Sequence, residues 1–333
     1  MKAALLERYG DNRAVKVTEV PVPKISDTDI LVQVRAASVN PLDVKTREGQ
    51  VRILLKYKLP IIMGNDLSGV VTQVGARVSR FKVGDEVYAR LDKGRIGAFA
   101  EFAAVRESDA ALKPIHTTFE EAASLPLVAL TAWQALVELA RLQPGQRVLI
   151  HAGSGGVGNI AIQLAHHIGA TVLTTVGQRN IDLVKRLGAD VAIDYRTTRF
   201  EDVAKDCDAV LDSAGGDTLV RSFKCVKPGG VVVSIGSTPS PTFAREWGLN
   251  PLLVFAIGLM SRKARAAARS HKARFEYLFM RPDGELLEQI ARLVENDTIR
   301  PLVDRVFTLD QVQEALAYSE SGRATGKIVV RVS

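Results

Sequence analysis

The pattern of hydrophobic and polar positions changes about one third of the way along this chain of 333 residues. In the first part, apolar side chains recur at every second position over residues 30–35. The valine-rich residues 69–74 precede Gly75, and residues 83–87 supply another turn and strand. A period of two residues is typical of half-buried β-strands. We therefore predict a compact β-rich domain in this part of the chain.

A different rhythm begins near Glu120. Residues 120–142 are predicted to form a helical stretch that ends at Pro144-Gly145, and strands then alternate with helices. The predicted strands cover residues 147–151, 171–176, 191–193, 209–211, 231–235 and 275–279. This alternation is typical of a parallel sheet covered by helices, and six strands fit a doubly wound α/β sheet.

The last fifty residues return towards β character. Residues 285–296 place their apolar side chains on one helical face, and residues 326–332 alternate as a strand. We expect this tail to complete the first domain. The predicted organisation is a β-rich domain built from residues 1–125 and 282–333, and an α/β domain of residues 126–281.

Composition narrows the class of protein. Hydrophobic residues make up 47% of the chain and charged residues 24%, as in soluble globular proteins. Glu7 and Arg8 interrupt the N-terminus too early for a signal peptide, and no run is apolar enough to span a membrane, so we expect a cytoplasmic protein. Cys207 and Cys225 form no Cys-x-x-Cys pair and are expected to be buried, reduced side chains.

The net charge of +7 is concentrated in one segment. Residues 249–274 contain six basic residues and no acidic one, which leaves a net charge of +1 for the other residues. We therefore expect no nucleic-acid partner. Because the apolar residues 252–260 lie directly beside these cations, weak contact with anionic membranes is one hypothesis. The alternative is that the apolar part covers a substrate pocket or a dimer interface.

A glycine-rich turn carries the strongest local signal. Gly153, Gly155 and Gly158 form G-x-G-x-x-G between a predicted strand and a predicted helix, where glycines permit a tight turn and close approach to a pyrophosphate. The free N–H groups of the helix then face the phosphates. The predicted cofactor-binding residues of this turn are Gly153, Ser154, Gly155, Gly156, Val157 and Gly158.

The turn after the second strand indicates which dinucleotide is bound. An enzyme that prefers NAD places an acidic residue there, on the ribose. This chain has Gly177 and Arg179 instead, and its nearest carboxylate in this turn, Asp182, lies in the next predicted helix. The planar guanidinium of Arg179 suits a 2′-phosphate, although it could also be an ordinary surface arginine. We predict NADPH as the cofactor.

With these motifs placed, nearly the whole chain resembles the medium-chain dehydrogenases/reductases, specifically their zinc-free quinone oxidoreductase branch. The resemblance implies a GroES-like catalytic domain and a Rossmann domain. The segments that carry it, besides Arg47 and Gly49, are ASVNPLD at 37–43, GNDLSG at 64–69, GAFAEF at 97–102, LPLVALTAW at 125–133, GAD at 188–190 and GRATGK at 322–327.

The zinc-dependent relatives would carry a cysteine near Ser38, a histidine at the position of Asn65 and a four-cysteine lobe. This chain has none of these ligands, and His166 and His167 are neighbours whose side chains diverge on a predicted helix. We therefore predict no metal. Without a Lewis acid to ionise an alcohol, a reductase is expected rather than an alcohol dehydrogenase.

The resemblance also implies roles for individual residues. Asn40 and Thr131 are expected to lie beside the nicotinamide, and Tyr195 is expected to help hold the 2′-phosphate. Two strand ends, residues 212–216 and 234–237, are expected to line the cofactor. They include Ser213, Ala214, Gly215, Ile235, Gly236 and Ser237.

The proton donor is less well defined. Asn40 is a candidate to donate its amide to a substrate carbonyl oxygen, with Tyr57 or water delivering the proton. Asn40 could instead form an Asx turn before Pro41, and Tyr57 could be a surface aromatic in a loop. Many relatives carry a tyrosine where Val51 and Arg52 stand here.

The predicted function is NADPH-dependent, zinc-independent transfer of a hydride to a quinone or an α,β-unsaturated carbonyl compound. Relatives commonly dimerise through the last strand of the cofactor sheet, here residues 275–279, so a homodimer is expected. The alternative is an NADPH-binding protein whose basic segment engages RNA or another anionic surface, with little catalysis. Turnover with a panel of quinones and enones distinguishes the two.

Overall fold

A computed structural model describes residues 1–236 and 239–332 of the chain, so the predicted cofactor contact Ser237 lies outside the described residues. The chain forms two compact units. Unit 1 comprises Met1–Leu130 and Arg281–Ser333, and unit 2 comprises Thr131–Met280.

The strands and helices are numbered in chain order. The strands are β1 (Lys2–Leu6), β2 (Val15–Glu19), β3 (Asp29–Val39), β4 (Ile61–Ile62), β5 (Asp66–Val74), β6 (Glu86–Arg90), β7 (Phe102–Arg106), β8 (Ala110–Leu112), β9 (Arg147–Ile150), β10 (Thr171–Val176), β11 (Val191–Asp194), β12 (Cys207–Asp212), β13 (Val226–Ser234), β14 (Arg274–Tyr277), β15 (Val303–Thr308) and β16 (Lys327–Arg331). The helices are α1 (Pro41–Arg47), α2 (Phe119–Ala123), α3 (Pro126–Trp133), α4 (Gly156–Ile168), α5 (Ile181–Arg186), α6 (Phe200–Val203), α7 (Gly216–Ser222), α8 (Pro241–Glu246), α9 (Pro251–Met260), α10 (Arg262–Ser270), α11 (Gly284–Glu295) and α12 (Val312–Glu320).

Unit 1 is built on a largely antiparallel sheet. Its strands follow the order β15-β16-β3-β5-β6-β8, and β7 pairs with β3. The C-terminal strand β16 runs antiparallel to β3, with Ile328 opposite Val39. The alternating side chains of these strands fill a buried core that includes Val32, Leu67 and Val330. The prediction that the tail completes the first domain is confirmed.

Unit 2 contains a parallel sheet of six strands in the order β11-β10-β9-β12-β13-β14. Strand β9 lies in the middle, with β10 on one side and β12 on the other. This order reverses beside β9, and such a switch point opens a crevice at the carboxyl ends of the strands. The predicted doubly wound Rossmann sheet is confirmed. Strand β14 lies at the edge of the sheet.

The prediction of one continuous helical stretch over residues 120–142 is wrong. Helix α2 ends at Ala123, α3 begins at Pro126, and a π-helical segment follows at Gln134–Leu139. Proline lacks the N–H that would continue a helix from the preceding turn, so a new helix starts at Pro126.

Both cysteines are buried and unpaired, as expected. Burial raises the pKa of Cys207 to about 11 and that of Cys225 to about 12. Both thiols are therefore protonated at neutral pH and act as small apolar side chains.

Candidate active site and cofactor site

The glycine-rich turn joins β9 to α4 in unit 2. A Cβ atom on Gly153 would lie 2.1 Å from Oγ1 of Thr174, and one on Gly158 would lie 2.2 Å from the carbonyl oxygen of Ala152. Neither distance is possible between real atoms, so both positions require glycine. The turn thus has the close strand–helix packing that a pyrophosphate-binding turn needs.

Helix α4 presents its N-terminus at this turn. The helix begins at Gly156 behind the N-cap residue Gly155, and the N–H groups of a first helical turn have no acceptor within the helix. Together with the helix dipole, these groups favour an anion. The predicted residues of the turn, 153–158, lead into this helix N-terminus and form its first positions.

His151 fixes the start of the same turn. Its Nδ1 lies 3.0 Å from Oγ1 of Thr175, and its Nε2 lies 2.9 Å from Oγ of Ser222. The Ser222 hydroxyl donates its proton to the carbonyl oxygen of Thr218 at 2.7 Å, so it accepts from Nε2–H, and His151 is the neutral Nε2–H tautomer. Burial lowers its pKa to about 4. Thr175 in turn accepts the Gly153 N–H on its carbonyl oxygen at 3.0 Å.

The ends of β12 and β13 meet beside this turn through Asp212. Its Oδ1 accepts the N–H groups of Ala214 at 3.1 Å and Gly215 at 2.9 Å, and its Oδ2 accepts the hydroxyl of Ser234 at 2.7 Å. Burial raises the pKa of Asp212. Asp212 belongs to a strand end that was expected to line the cofactor, but its function in holding the two strand ends together was not predicted.

The other predicted residues of these two strand ends lie at the same edge. Ser213 donates its hydroxyl to the carbonyl oxygen of His151 at 3.2 Å. The Ile235 N–H donates to the carbonyl oxygen of Asp212 at 2.9 Å, and a Cβ on Gly236 would lie 2.5 Å from the carbonyl oxygen of Ser213. The structure therefore brings Ser213, Ala214, Gly215, Ile235 and Gly236 together.

The residues predicted to select NADPH lie after β10 and β11. The hydroxyl of Tyr195 is 3.8 Å from the position that a Cβ atom on Gly177 would take, so Tyr195 lies beside this position without filling it. Arg179 is exposed on the same turn, and Asn180 donates to the hydroxyl of Ser154 at 3.0 Å, which ties this turn to the glycine-rich turn. Arg196 lies 5.8 Å from the Tyr195 ring centroid and adds a second cation that was not predicted.

A separate polar network is buried in unit 1 around Asn40, which is 1% exposed. Its amide oxygen accepts from Nζ of Lys327 at 2.6 Å, and its amide nitrogen donates to Asp66 at 2.9 Å and to the Ser38 carbonyl oxygen at 3.3 Å. Asp43, in α1, accepts the Asn40 backbone N–H at 2.7 Å. Both amide hydrogens of Asn40 are therefore engaged within the protein.

Two buried carboxylates of this network, Asp43 and Asp66, interact electrostatically with two buried cations, Lys327 and Arg90. Burial raises the pKa of Asp43 to about 6 and also raises the pKa of Asp66. Burial lowers the pKa of Lys327 and of Arg90, while the two carboxylates act in the opposite direction. The charges balance, which is how buried ionisable groups are tolerated.

Lys327 is central to this balance. Its ammonium lies 4.0 Å from Asp66 and also donates to the Val39 carbonyl oxygen at 2.9 Å. Lys327 is not among the predicted site residues. A signal for it exists, because a lysine at an inward position of an alternating strand requires a partner inside the protein.

The side chains at the zinc positions of the family do not fit a zinc ion. Ser38 donates its hydroxyl to Asp66 at 2.8 Å, and Asn65 donates its amide to Asp43 at 2.7 Å. A neutral hydroxyl and an amide replace the thiolate and imidazole that zinc prefers. The Lys327 ammonium beside Asp66 would also repel a second cation. Within residues 1–236 and 239–332, no three His, Cys, Asp or Glu side chains are grouped to hold a metal.

Tyr57 and Thr131 complete the predicted set. The Tyr57 hydroxyl donates to the Lys93 carbonyl oxygen at 2.8 Å, and burial raises its pKa. Thr131 is buried in α3. The roles predicted for Asn40, Tyr57 and Thr131 in binding and catalysis stay predictions.

Two family models match parts of the chain. Residues 26–115 match the family model described as an alcohol dehydrogenase GroES-like domain, and residues 187–330 match the model described as a zinc-binding dehydrogenase. The second description covers proteins that bind zinc, whereas the donor set around Asp66 here does not fit the metal.

Individual proteins match over nearly the whole chain. A 2-methylene-furan-3-one reductase of Solanum lycopersicum is 36% identical, over 99% of this chain and 79% of its own. An NADPH-dependent alkenal/one oxidoreductase of Arabidopsis thaliana is 34% identical, over 99% of this chain and 79% of its own. The solved structure of a quinone oxidoreductase from Coxiella burnetii is 33% identical, with a TM-score of 0.88 over 100% of this chain and 99% of its own. The chain therefore belongs to the medium-chain dehydrogenase/reductase superfamily, in its quinone oxidoreductase branch.

Proposed function

We propose that this protein is an NADPH-dependent reductase that transfers a hydride to a quinone or an α,β-unsaturated carbonyl compound without zinc. The observation that carries the proposal is the donor set around Asp66, where a hydroxyl, an amide and an ammonium group replace metal ligands. Such a site lacks the Lewis acid that ionises an alcohol, so reduction of an already electrophilic carbon is the chemistry that suits it.

The cofactor assignment rests on unit 2. The glycine-rich turn fits a dinucleotide because Gly153 and Gly158 leave no room for a side chain. NADPH supplies the hydride when it is bound. The N–H groups at the start of α4 would hold its pyrophosphate, and Arg179 and Tyr195 would hold its 2′-phosphate. The name of the Arabidopsis thaliana relative, which is NADPH-dependent, supports this choice.

The substrate assignment is supported by the names of the relatives, which act on enones, alkenals and quinones. Addition of a hydride to the β-carbon of an enone leaves negative charge on its carbonyl oxygen, which must accept a hydrogen bond and then a proton. The Tyr57 hydroxyl, a phenol that is protonated at neutral pH, would serve as that donor after releasing the Lys93 carbonyl oxygen. Asn40 would have to release one of its two present acceptors to contribute its amide.

The test is a panel of quinones, enones, alkenals and simple alcohols, assayed with NADPH and NADH or their oxidised forms. We expect NADPH oxidation with at least one class of conjugated carbonyl compound and no oxidation of alcohols. Tight NADPH binding without turnover on any substrate would favour the alternative, a nucleotide-binding protein with little catalysis.

We also propose a homodimer. Strand β14 forms the edge of the unit 2 sheet, where its outer N–H and C=O groups can pair with a second copy. Light scattering on the purified protein tests this: twice the chain mass of 36.1 kDa is expected, and a monomer would contradict it.

A further inference from the structure

Helix α9 exposes a continuous apolar face. The exposed fractions of its side chains are 81% for Leu252, 68% for Phe255, 52% for Leu259 and 69% for Met260. Leu252, Phe255 and Leu259 recur at a spacing of three and four residues and so share one side of the helix, whereas Ile257 is buried on the other. Single apolar side chains on a surface are ordinary, but a grouped face like this one marks an interaction site.

Helix α10 continues directly from this face and is basic. Arg262, Lys263 and Arg269 are exposed, while Ala264 and Ala268 anchor the helix in the unit 2 core. In the described part of the chain these three cations form no ion pair. Four of the six basic residues of 249–274 therefore lie on α10, directly after the apolar helix α9.

An open pocket joins the apolar and basic parts. The pocket has a volume of about 640 Å³, and its walls include Phe255 and Leu259 together with Arg245, Arg262 and Arg265. Arg265 donates to the Gly258 carbonyl oxygen at 2.7 Å, but its Nε is buried and has no partner within the described residues. Apolar walls bordered by guanidinium groups suit a phospholipid, whose acyl chains lie next to a phosphate group.

We propose that α9 and α10 form a docking surface for anionic phospholipid bilayers. None of the described helices is both long and apolar enough to cross a membrane. Helix α9 has 10 residues, about 15 Å at 1.5 Å per residue, against a hydrocarbon thickness of about 30 Å, so it lies in the plane of the interface. Its apolar face enters the acyl boundary, and the cations of α10 contact lipid phosphates.

The charge distribution favours lipid over two other partners. A second copy of the chain, placed symmetrically on this face, would bring two basic α10 helices together, and neither α9 nor α10 carries an acidic residue to offset them. A nucleic acid would be attracted by the cations, but it would leave Leu252, Phe255 and Met260 exposed to water. An anionic bilayer satisfies both parts of the surface.

Co-sedimentation with vesicles tests the proposal. The full chain is mixed with vesicles of phosphatidylglycerol and phosphatidylcholine, or of phosphatidylcholine alone, at low and at high salt. We expect binding only to the anionic vesicles, weakened by salt. The double variants Phe255→Ser/Leu259→Ser and Arg262→Glu/Lys263→Glu should each bind at least tenfold more weakly.

Two matched controls distinguish binding through α9 and α10 from non-specific hydrophobic binding and from a general effect of net charge. Ile115→Ser removes an apolar side chain that is 74% exposed in unit 1, and Lys205→Glu/Lys224→Glu makes the same change in net charge elsewhere in unit 2. Both controls should bind like the unmodified protein. The proposal is overturned if the unmodified protein does not co-sediment, if the controls lose as much binding as the test variants, or if light scattering shows a dimer that Phe255→Ser/Leu259→Ser dissociates.

Discussion

The ammonium group of Lys327 lies 2.6 Å from the amide oxygen of Asn40, although the two residues are 287 positions apart in the chain. Both side chains are buried. The contact fixes the orientation of the Asn40 amide, because an oxygen that accepts from an ammonium leaves the amide nitrogen to face Asp66. Lys327 is therefore a positioning residue for Asn40 as well as the charge partner of the carboxylates.

Replacing Lys327 with methionine should destabilise unit 1. The variant leaves Asp66 and Asp43 buried with one cation fewer, and breaking a buried ion pair on one side typically costs roughly 3 to 5 kcal/mol in the free energy of unfolding. Urea titration measures this loss. Lys82→Met, at an exposed lysine, is the control and should change the stability by less than about 0.5 kcal/mol. Equal stability of the two variants would show that Lys327 is not needed to neutralise the buried carboxylates of Asp66 and Asp43.

His151 should make the protein less stable as the pH falls from 6.5 towards 4. Its pKa is about 4 when folded and 6.5 ordinarily, so the unfolded chain binds the proton more readily within this range. The stability it contributes is complete above pH 6.5 and is lost on acidification, by at most roughly 3 kcal/mol. Urea titrations from pH 7 to 4 should show a shallower loss for His151→Gln. The control His116→Gln, at an exposed histidine, should follow the unmodified protein.

The effects of alanine substitutions in the glycine-rich turn on NADPH affinity and stability should depend on the space available for a Cβ atom. Gly153→Ala and Gly158→Ala force contacts near 2 Å, whereas a Cβ on Gly155 would lie 3.2 Å from the Ala152 carbonyl oxygen. We expect the first two variants to lose NADPH affinity more than tenfold and to melt at lower temperature, and Gly155→Ala to be affected least. Fluorescence titration with NADPH and thermal melting give the order. A Gly155→Ala variant that binds worst would contradict the packing argument.

Cofactor preference should depend on Gly177 and Arg179. A charge-assisted hydrogen bond contributes roughly 1.5 to 3 kcal/mol, so Arg179→Ala should raise the KM for NADPH about ten- to hundredfold and leave that for NADH nearly unchanged. Gly177→Asp should shift the preference towards NADH, since the nearest atoms to its Cβ, in Tyr195, are 3.8 Å away and leave room. Steady-state kinetics with both cofactors measure this. Arg186→Ala is the matched control at an exposed arginine of α5. If Arg179→Ala impairs both cofactors equally, Arg179 is an ordinary surface residue.

Zinc should be dispensable. Because Ser38 and Asn65 present a hydroxyl and an amide to buried carboxylates, we expect the purified protein to contain less than stoichiometric zinc and to keep its reductase activity after dialysis against a chelator. Elemental analysis and the activity assay check both. One zinc per chain, with activity lost on its removal, would contradict the assignment.

Local patterns were sufficient to predict much of unit 2. The six strands and the doubly wound type of sheet could be predicted from apolar runs separated by helices. The cofactor turn could be predicted from three glycines, because their spacing is the one that close strand–helix packing requires. The boundaries were less accurate: β13 begins at Val226 rather than at residue 231, because the Pro228-Gly229 pair resembles a turn.

The buried network of unit 1 could not be predicted in the same way. Asn40, Asp66 and Lys327 lie on separate elements, and no local pattern states which of them meet. Their proximity follows from the pairing of β16 and β5 with β3, which is a property of the folded sheet. The exposure of α9 could not be predicted from the sequence either, because an apolar run gives the same pattern whether the helix is buried or faces solvent.

The pairing of β16 with β3 also means that β3 is synthesised on the ribosome long before one of its partner strands. The Val39 carbonyl oxygen accepts a hydrogen bond from Lys327, which is synthesised 288 residues later. At 5 to 20 residues per second, this edge of β3 therefore stays unpaired for roughly 15 to 60 s. During that interval all of unit 2 emerges and can fold, while Asp66 and Asp43 have no lysine to neutralise them. Until β16 is made, the nascent chain therefore carries an open strand edge beside two carboxylates.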